Sequence, residues 1–207
     1  MQNRRIQLAA LIVSCIAALC LAWLAAKVTH GETTCFDADV RNSIHSVSSP
    51  GVTQLLSAIT FLGSQAVVIV VSGCLAILML WNGRRDRAML VVATMAGAEV
   101  LLSILKNHFH RQRPDPFFDE RLPPSYSFPS GHALLSFCCY GLLAALGCTR
   151  MRWPIRICAA VLILAIGVSR IYLGVHYPTD VIAGYLAAIA WTAVVAAIHM
   201  RLATIKT

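Results

Sequence analysis

A bundle of six membrane-crossing α-helices, with both termini on the cytoplasmic side, is the fold this sequence predicts. Three observations predict it. Of 207 residues, 58% are hydrophobic and only 13% charged, with a mean hydropathy of +0.71. A soluble domain carries about 25% charged residues, so the chain has roughly half the charge that a water-facing surface needs. The apolar residues gather into six runs, most of them near the ~20 residues that a span prefers. Basic residues then collect on one side of the resulting topology. The same composition excludes disorder, which needs low hydrophobicity. Residues 1–207 read as a single integral membrane domain.

The first run, Ile6–Ala26, follows Arg4 and Arg5. It is longer than the ~7–15 residues of a signal-peptide core and reads as an uncleaved span. Lys27 to Thr60 is polar, with short interfacial helices expected over Asp39–Val47 and Gln54–Ile59. Phe61–Trp81 and Ala88–Leu105 are the second and third spans. The segment Asn107–Pro129 is rich in proline and charge, too polar to face lipid. Ala133–Cys148 and Ile155–Val168 are short, and Gly131–His132 and Ser169–Leu173 can lengthen them. Val181–Met200 closes the chain, which has no internal repeat.

Six spans place Arg4, Arg5, Arg84, Arg85, Arg87, Arg150, Arg152, Arg156, Arg201 and Lys206 on one side, against Asp86 alone. On the other side Lys27, Arg41, Lys106, Arg111, Arg113, Arg121 and Arg170 are matched by acids. The excess marks the cytoplasmic side, and Trp81 and Trp153 fall at interfaces that favour indole. The net charge of +8 is therefore mostly topogenic, and no nucleic-acid partner is expected. Of eight cysteines, Cys15, Cys20, Cys74, Cys138, Cys139, Cys148 and Cys158 lie in or beside apolar runs and read as packing residues. Cys35 lies in a polar stretch, and no pair has zinc-type spacing.

Three polar clusters meet on the outer side: Lys106 to Pro114 closing span three, Pro129–His132 opening span four, and Ser169 to Asp180 joining spans five and six. Ionisable groups converging at one membrane depth mark a functional site. Their types suit phosphoryl transfer. Lys106, Arg113 and Arg170 supply cations, and arginine's planar fork matches phosphate oxygens. Ser130 and Gly131 precede a helix, so their amides can face an anion. His176 and Asp180 are four apart and share a face if a helix begins near Tyr177, with Pro178 suited to its first turn. A carboxylate on one imidazole nitrogen leaves the other free as a nucleophile. His132 is then a spare acid–base group.

Together the clusters resemble the signature of the type 2 phosphatidic acid phosphatase (PAP2) superfamily, in its membrane lipid phosphatase branch. That pattern is a lysine, six residues and Arg-Pro; Pro-Ser-Gly-His; and Ser-Arg, five residues, His, three residues, Asp. Lys106 with Arg113 and Pro114, Pro129–His132, and Ser169, Arg170, His176 and Asp180 match it without a departure. The resemblance implies that His176 attacks phosphorus and Asp180 orients it, while His132 protonates the leaving oxygen and then activates water. It further implies that Lys106, Arg113, Ser130, Gly131 and Arg170 hold the phosphate, with no metal and no cofactor. The implied substrate is a lipid phosphate or diphosphate: undecaprenyl diphosphate, phosphatidate or phosphatidylglycerophosphate. It would be met in the cell (inner) membrane at the periplasmic or extracellular face. A lipid phosphotransferase and a non-catalytic lipid-phosphate or anion transporter stand as alternatives.

Other polar residues carry weaker signals. Glu99, seven residues before Lys106, sits on the same helical face and suits a hydrogen bond inside the bundle. His108 and His110 read as loop residues without a partner ligand. Arg111, Asp115, Tyr126 and the Asp119–Arg121 run either shape the head-group entrance or form a solvated loop face. Nothing singles out His30, His45 or His199.

Overall fold

A computed structural model describes residues 2–118, 122–147 and 152–205. Eight helices follow in order among these residues: α1 (Gln2–Thr29), α2 (Thr34–Ser46), α3 (Pro50–Leu62), α4 (Gln65–Trp81), α5 (Arg85–Phe109), α6 (Gly131–Leu146), α7 (Arg152–Tyr172) and α8 (Pro178–Ile205). No strand occurs among the described residues. The Asp119–Arg121 run, Cys148, Arg150 and Lys206 lie outside them.

Among the described residues, four helices are long and apolar enough to cross a membrane: Arg4–Thr29, Arg85–Phe109, Trp153–Tyr172 and Pro178–Leu202. The expected span Phe61–Trp81 is instead broken. Gly63 and Ser64 interrupt it, and α3 and α4 meet at a 47° bend; counted as one span, the pair makes five. α6 has 16 residues, about 24 Å of helix, short of the ~30 Å hydrocarbon core. The helix packs against α4, α5, α7 and α8 and so meets protein rather than lipid over much of its length. The two helices expected within the polar stretch are longer than expected, α2 and α3 each having 13 residues, and the second of them is part of the bent pair.

The core is built of small and medium side chains. Val68, Met95, Ala98, Leu134, Cys138 and Ala187 bring α4, α5, α6 and α8 together. Small residues let helix backbones approach closely where lipid supplies no hydrophobic drive between helices. Cys138 and Cys139 are buried as expected, but Cys15, Cys20, Cys74 and Cys158 face outward from apolar helices. The packing assigned to those four is thus corrected: a thiol is apolar enough for a lipid-facing surface. α1 lies along α8. α2 and α3 cover the α7–α8 junction, where Ile44 packs against the cluster of Tyr172, Leu173 and Val175 and Thr53 Oγ1 is 2.7 Å from the Tyr172 hydroxyl. The end of α5 and the starts of α6 and α8 therefore gather at one end of the bundle.

Candidate active site

The site begins where α8 begins. Pro178 opens the helix, and Asp180, two residues on, reaches back so that Oδ2 accepts the Tyr177 amide at 2.9 Å, half of a capping box. The same oxygen lies 3.3 Å from His176 Nδ1 and accepts from Ser127 Oγ. On the ring's far side, His176 Nε2 is 3.0 Å from Arg113 Nη1. A guanidinium can only donate, so Nε2 is the acceptor and the ring proton sits on Nδ1 toward Asp180. His176 is 1% exposed and Asp180 wholly buried. Burial lowers the imidazole to a pKa of about 4, with Asp180 opposing and Arg113 and Arg170 adding to the shift. The ring is neutral at neutral pH, with a lone pair aimed at a cation.

Arg113 and Lys106 are held by backbone carbonyls. Arg113 donates from Nε to the Ser125 carbonyl at 2.8 Å and from Nη1 to the Val175 carbonyl at 3.0 Å. Burial draws its pKa below the usual value, against the pull of Asp180. Lys106 Nζ donates to the Tyr126 carbonyl, so the stretch around Tyr126 lies over the end of α5. The left-handed His110 (φ 48°) ends that helix and starts the return. Arg170 Nη1 donates to Thr60 Oγ1 of α3 at 2.8 Å. His132 lies within electrostatic reach of Arg170, His176, Arg113 and Lys106, which gathers the three sequence clusters into one site.

One expectation needs correction. The Ser130 amide does not face an open anion site; it donates to the Asp180 carbonyl at 2.9 Å, tying the start of α6 to that of α8. Gly184 makes the approach possible, since a Cβ there would stand 2.7 Å from the Ser130 carbonyl oxygen. What Ser130 offers instead is its hydroxyl, buried and without a hydrogen-bond partner. Gly131 is the first residue of α6, where an amide has no carbonyl one turn back within the helix.

Arg111 shapes the site from within rather than at an entrance. Nη1 donates to Asp180 Oδ1 at 2.6 Å and Nη2 to Asp37 Oδ2 at 2.8 Å. Asp115 accepts from Arg41 Nη2 through its carbonyl at 2.7 Å. Glu99 accepts from Gln65 Nε2 at 3.0 Å, a hydrogen bond between α4 and α5. His110 packs edge-on against Tyr126 and His108 against Phe109. Among the described residues no group of three or more His, Cys, Asp or Glu side chains is arranged to hold a metal ion.

The profile of the PAP2 superfamily matches residues 87–203. The chain belongs to the PAP2 superfamily. Phosphatidylglycerophosphatase B of Bacillus subtilis is 29% identical over 176 residues, covering 78% of this chain and 82% of that one. The undecaprenyl-diphosphatase of Sulfolobus acidocaldarius is 34% identical over 116 residues, 54% of each chain. The crystal structure of a transmembrane PAP2-type phosphatidylglycerolphosphate phosphatase from Bacillus subtilis aligns with a TM-score of 0.76 over 94% of this chain and 96% of that one. At 23% identity that likeness shows the fold. The chain is thus a multi-pass membrane phosphoric-ester hydrolase of the PAP2 type. All the PAP2 motif residues fall inside the matched stretch. Asp37 and Thr60 lie before it, and they, with Ser127 and Thr179, are site neighbours that sequence reasoning missed. Their partners are up to 142 residues away, and no spacing rule reaches that far.

Proposed function

We propose that this PAP2 protein hydrolyses a lipid phosphate or diphosphate through a phosphohistidine on His176. The observation that carries the reading is the orientation of that ring: Nδ1 toward Asp180, and Nε2, with its lone pair, toward the cation Arg113. A phosphate held among Lys106, Arg113 and Arg170 meets this lone pair head-on. The Nε2–phosphorus bond forms as the bond to the leaving oxygen breaks, and His132 delivers a proton to that oxygen. His132 then takes a proton from water, which attacks phosphorus and releases Nε2. The Ser130 hydroxyl and Gly131 amide complete the cradle for the non-bridging oxygens.

Three fixed cations supply the charge that a divalent ion would otherwise bring, so turnover proceeds without added metal. The relatives named above support phosphatidylglycerophosphate or undecaprenyl diphosphate as the substrate, with phosphatidate a third of the same chemistry. The bent α3–α4 pair and the short α6 both cross the bilayer in this reading, which makes six spans. The excess of arginine at the other end of the bundle supports cytoplasmic termini and a site on the outer face of the cell membrane.

The test is phosphate release by the detergent-purified chain from these three lipids in EDTA, with acid-labile phosphate on His176 trapped by rapid quench. Release in EDTA with a labelled His176 is expected. Loss of activity on chelation would overturn the metal-free step, and silence on all three lipids would overturn the hydrolase reading.

A further inference from the structure

Asp37 is the only buried residue of α2, a short helix apart from the four long apolar helices and before the PAP2-matched stretch. A carboxylate that is 1% exposed is costly unless ion-paired and hydrogen-bonded. Asp37 is both, and nearly all its partners border the catalytic pair. Oδ1 accepts the Thr179 amide at 3.0 Å, and Oδ2 accepts the Thr179 hydroxyl at 2.8 Å and Arg111 Nη2 at 2.8 Å. Its other partner, Thr33 Oγ1, is 3.2 Å away at the start of α2.

Thr179 is the second residue of α8, where an amide has no partner within the helix. Asp37 therefore caps α8 from another element. Arg111 meanwhile stands between two carboxylates and over the Tyr177 ring, 4.1 Å from its centre. Burial opposes its charge, but Asp180 and Asp37 outweigh that and raise its pKa. Its hold on Asp180 Oδ1 leaves Oδ2 to face His176.

We infer that Asp37 is a positioning residue for catalysis: by capping α8 and clamping Arg111, it fixes the carboxylate that orients the nucleophile. The inference rests on the phosphohistidine reading above. Asp37 is buried and its hydrogen bonds go to Thr33, Arg111 and Thr179, so on this inference its loss acts on the chemical step and not on lipid binding. A misplacement of ~1 Å at the reacting centre can cost about 10²-fold in rate.

The test compares Asp37→Asn, Arg111→Lys and their double variant in the full chain, with Asp39→Asn, exposed on the same helix, as the control. Activity is read as phosphate release from the lipid that the parent protein turns over. Asp37→Asn is expected to lower kcat by ~10- to 100-fold with KM within about twofold. Arg111→Lys keeps the charge but cannot bridge two carboxylates, and should lose a similar factor. The double variant should be no worse than the poorer single, because both act through one link. Asp39→Asn should match the parent. Either single variant with kcat within twofold of the parent, losses that multiply in the double, or a rise in KM alone would overturn the inference. Arg111→Lys decides the matter if Asp37→Asn does not fold. Full activity in both singles with none in His176→Ala would leave the phosphohistidine reading standing and remove this one; a parent inactive on all lipids would remove both.

Discussion

His176 Nδ1 and Asp180 Oδ2 stand 3.3 Å apart, across the junction where an irregular turn becomes α8. The carboxylate is part of the helix and the imidazole is not, so the first turn of α8 sets the ring's tautomer. Asp180→Asn preserves the shape but offers an amide that can turn its NH2 to the ring and favour the wrong tautomer. The kcat should fall by up to ~10⁴-fold, the scale known for a comparable carboxylate beside a catalytic histidine. Single-turnover kinetics should place the loss in phosphoenzyme formation.

The pH dependence follows from burial of the nucleophile. His176 must be neutral to attack, and its pKa is drawn down to about 4 by burial, with Asp180 opposing and Arg113 and Arg170 assisting. Its contribution to kcat/KM should stay level from neutral pH down to about 4, then fall with the lone pair. Stability has the same sign. The unfolded histidine takes up its proton near ~6.5, so this residue's contribution declines as pH drops from there toward the folded value. The kcat/KM profile of the parent protein, followed from neutral pH to below about 4, checks the limb.

Arg113 makes contacts that only a fork can combine: the carbonyls of Ser125 and Val175, the Ser125 hydroxyl at 3.1 Å and His176 Nε2. Lysine keeps the charge but loses that geometry. Arg113→Lys should lower kcat/KM by ~10²–10³-fold, the cost of one misplaced oxyanion donor. An effect below tenfold in phosphate release would show that charge alone suffices there.

The contact between α6 and α8 can be tested without touching a reactive group. A Cβ at Gly184 would meet the Ser130 carbonyl oxygen at 2.7 Å and Ala133 Cβ at 2.9 Å. Both are fixed near the start of α6, so Gly184→Ala must push the helices apart and should cost ~1–3 kcal/mol. Gly141, mid-helix in α6 with nothing within 4 Å of its would-be Cβ, is the counterpart. Gly141→Ala should be neutral or stabilising. Thermal midpoints in one detergent compare the two, and activity should drop in the first alone.

Much of this was legible in the sequence because periodic and local signals carried it. Ile6–Ala26, Ala88–Leu105, Ile155–Val168 and Val181–Met200 each lie within one helix, and the three motifs converged because alternating helices return to one end of a bundle. The break at Gly63–Ser64 was not legible, since both halves are apolar and hydropathy does not register a bend. Nor was Asp37, whose partners Arg111 and Thr179 are 74 and 142 residues away. A buried ion pair across such separations leaves no period and no motif. The Ser130 amide was misjudged for a related reason. A residue before a helix ordinarily offers its amide outward, but here a neighbouring helix start supplies the acceptor.

Ser130 yields the sharpest separation of stability from function. Its amide and carbonyl are both engaged, by the Asp180 carbonyl and the Leu134 amide, while its hydroxyl is buried with no partner. An unsatisfied buried hydroxyl costs ~1–3 kcal/mol, so removing it relieves the resting protein. Ser130→Ala should therefore hold or raise the thermal midpoint. On the proposed mechanism the hydroxyl finds its partner in a phosphate oxygen, so the same variant should lose ~10- to 100-fold in kcat/KM, the lower range for a single donor to a developing oxyanion. Lower stability with full activity would reverse both halves of the argument and make Ser130 a structural residue. Greater stability with weaker turnover is the signature of a polar group kept for its substrate.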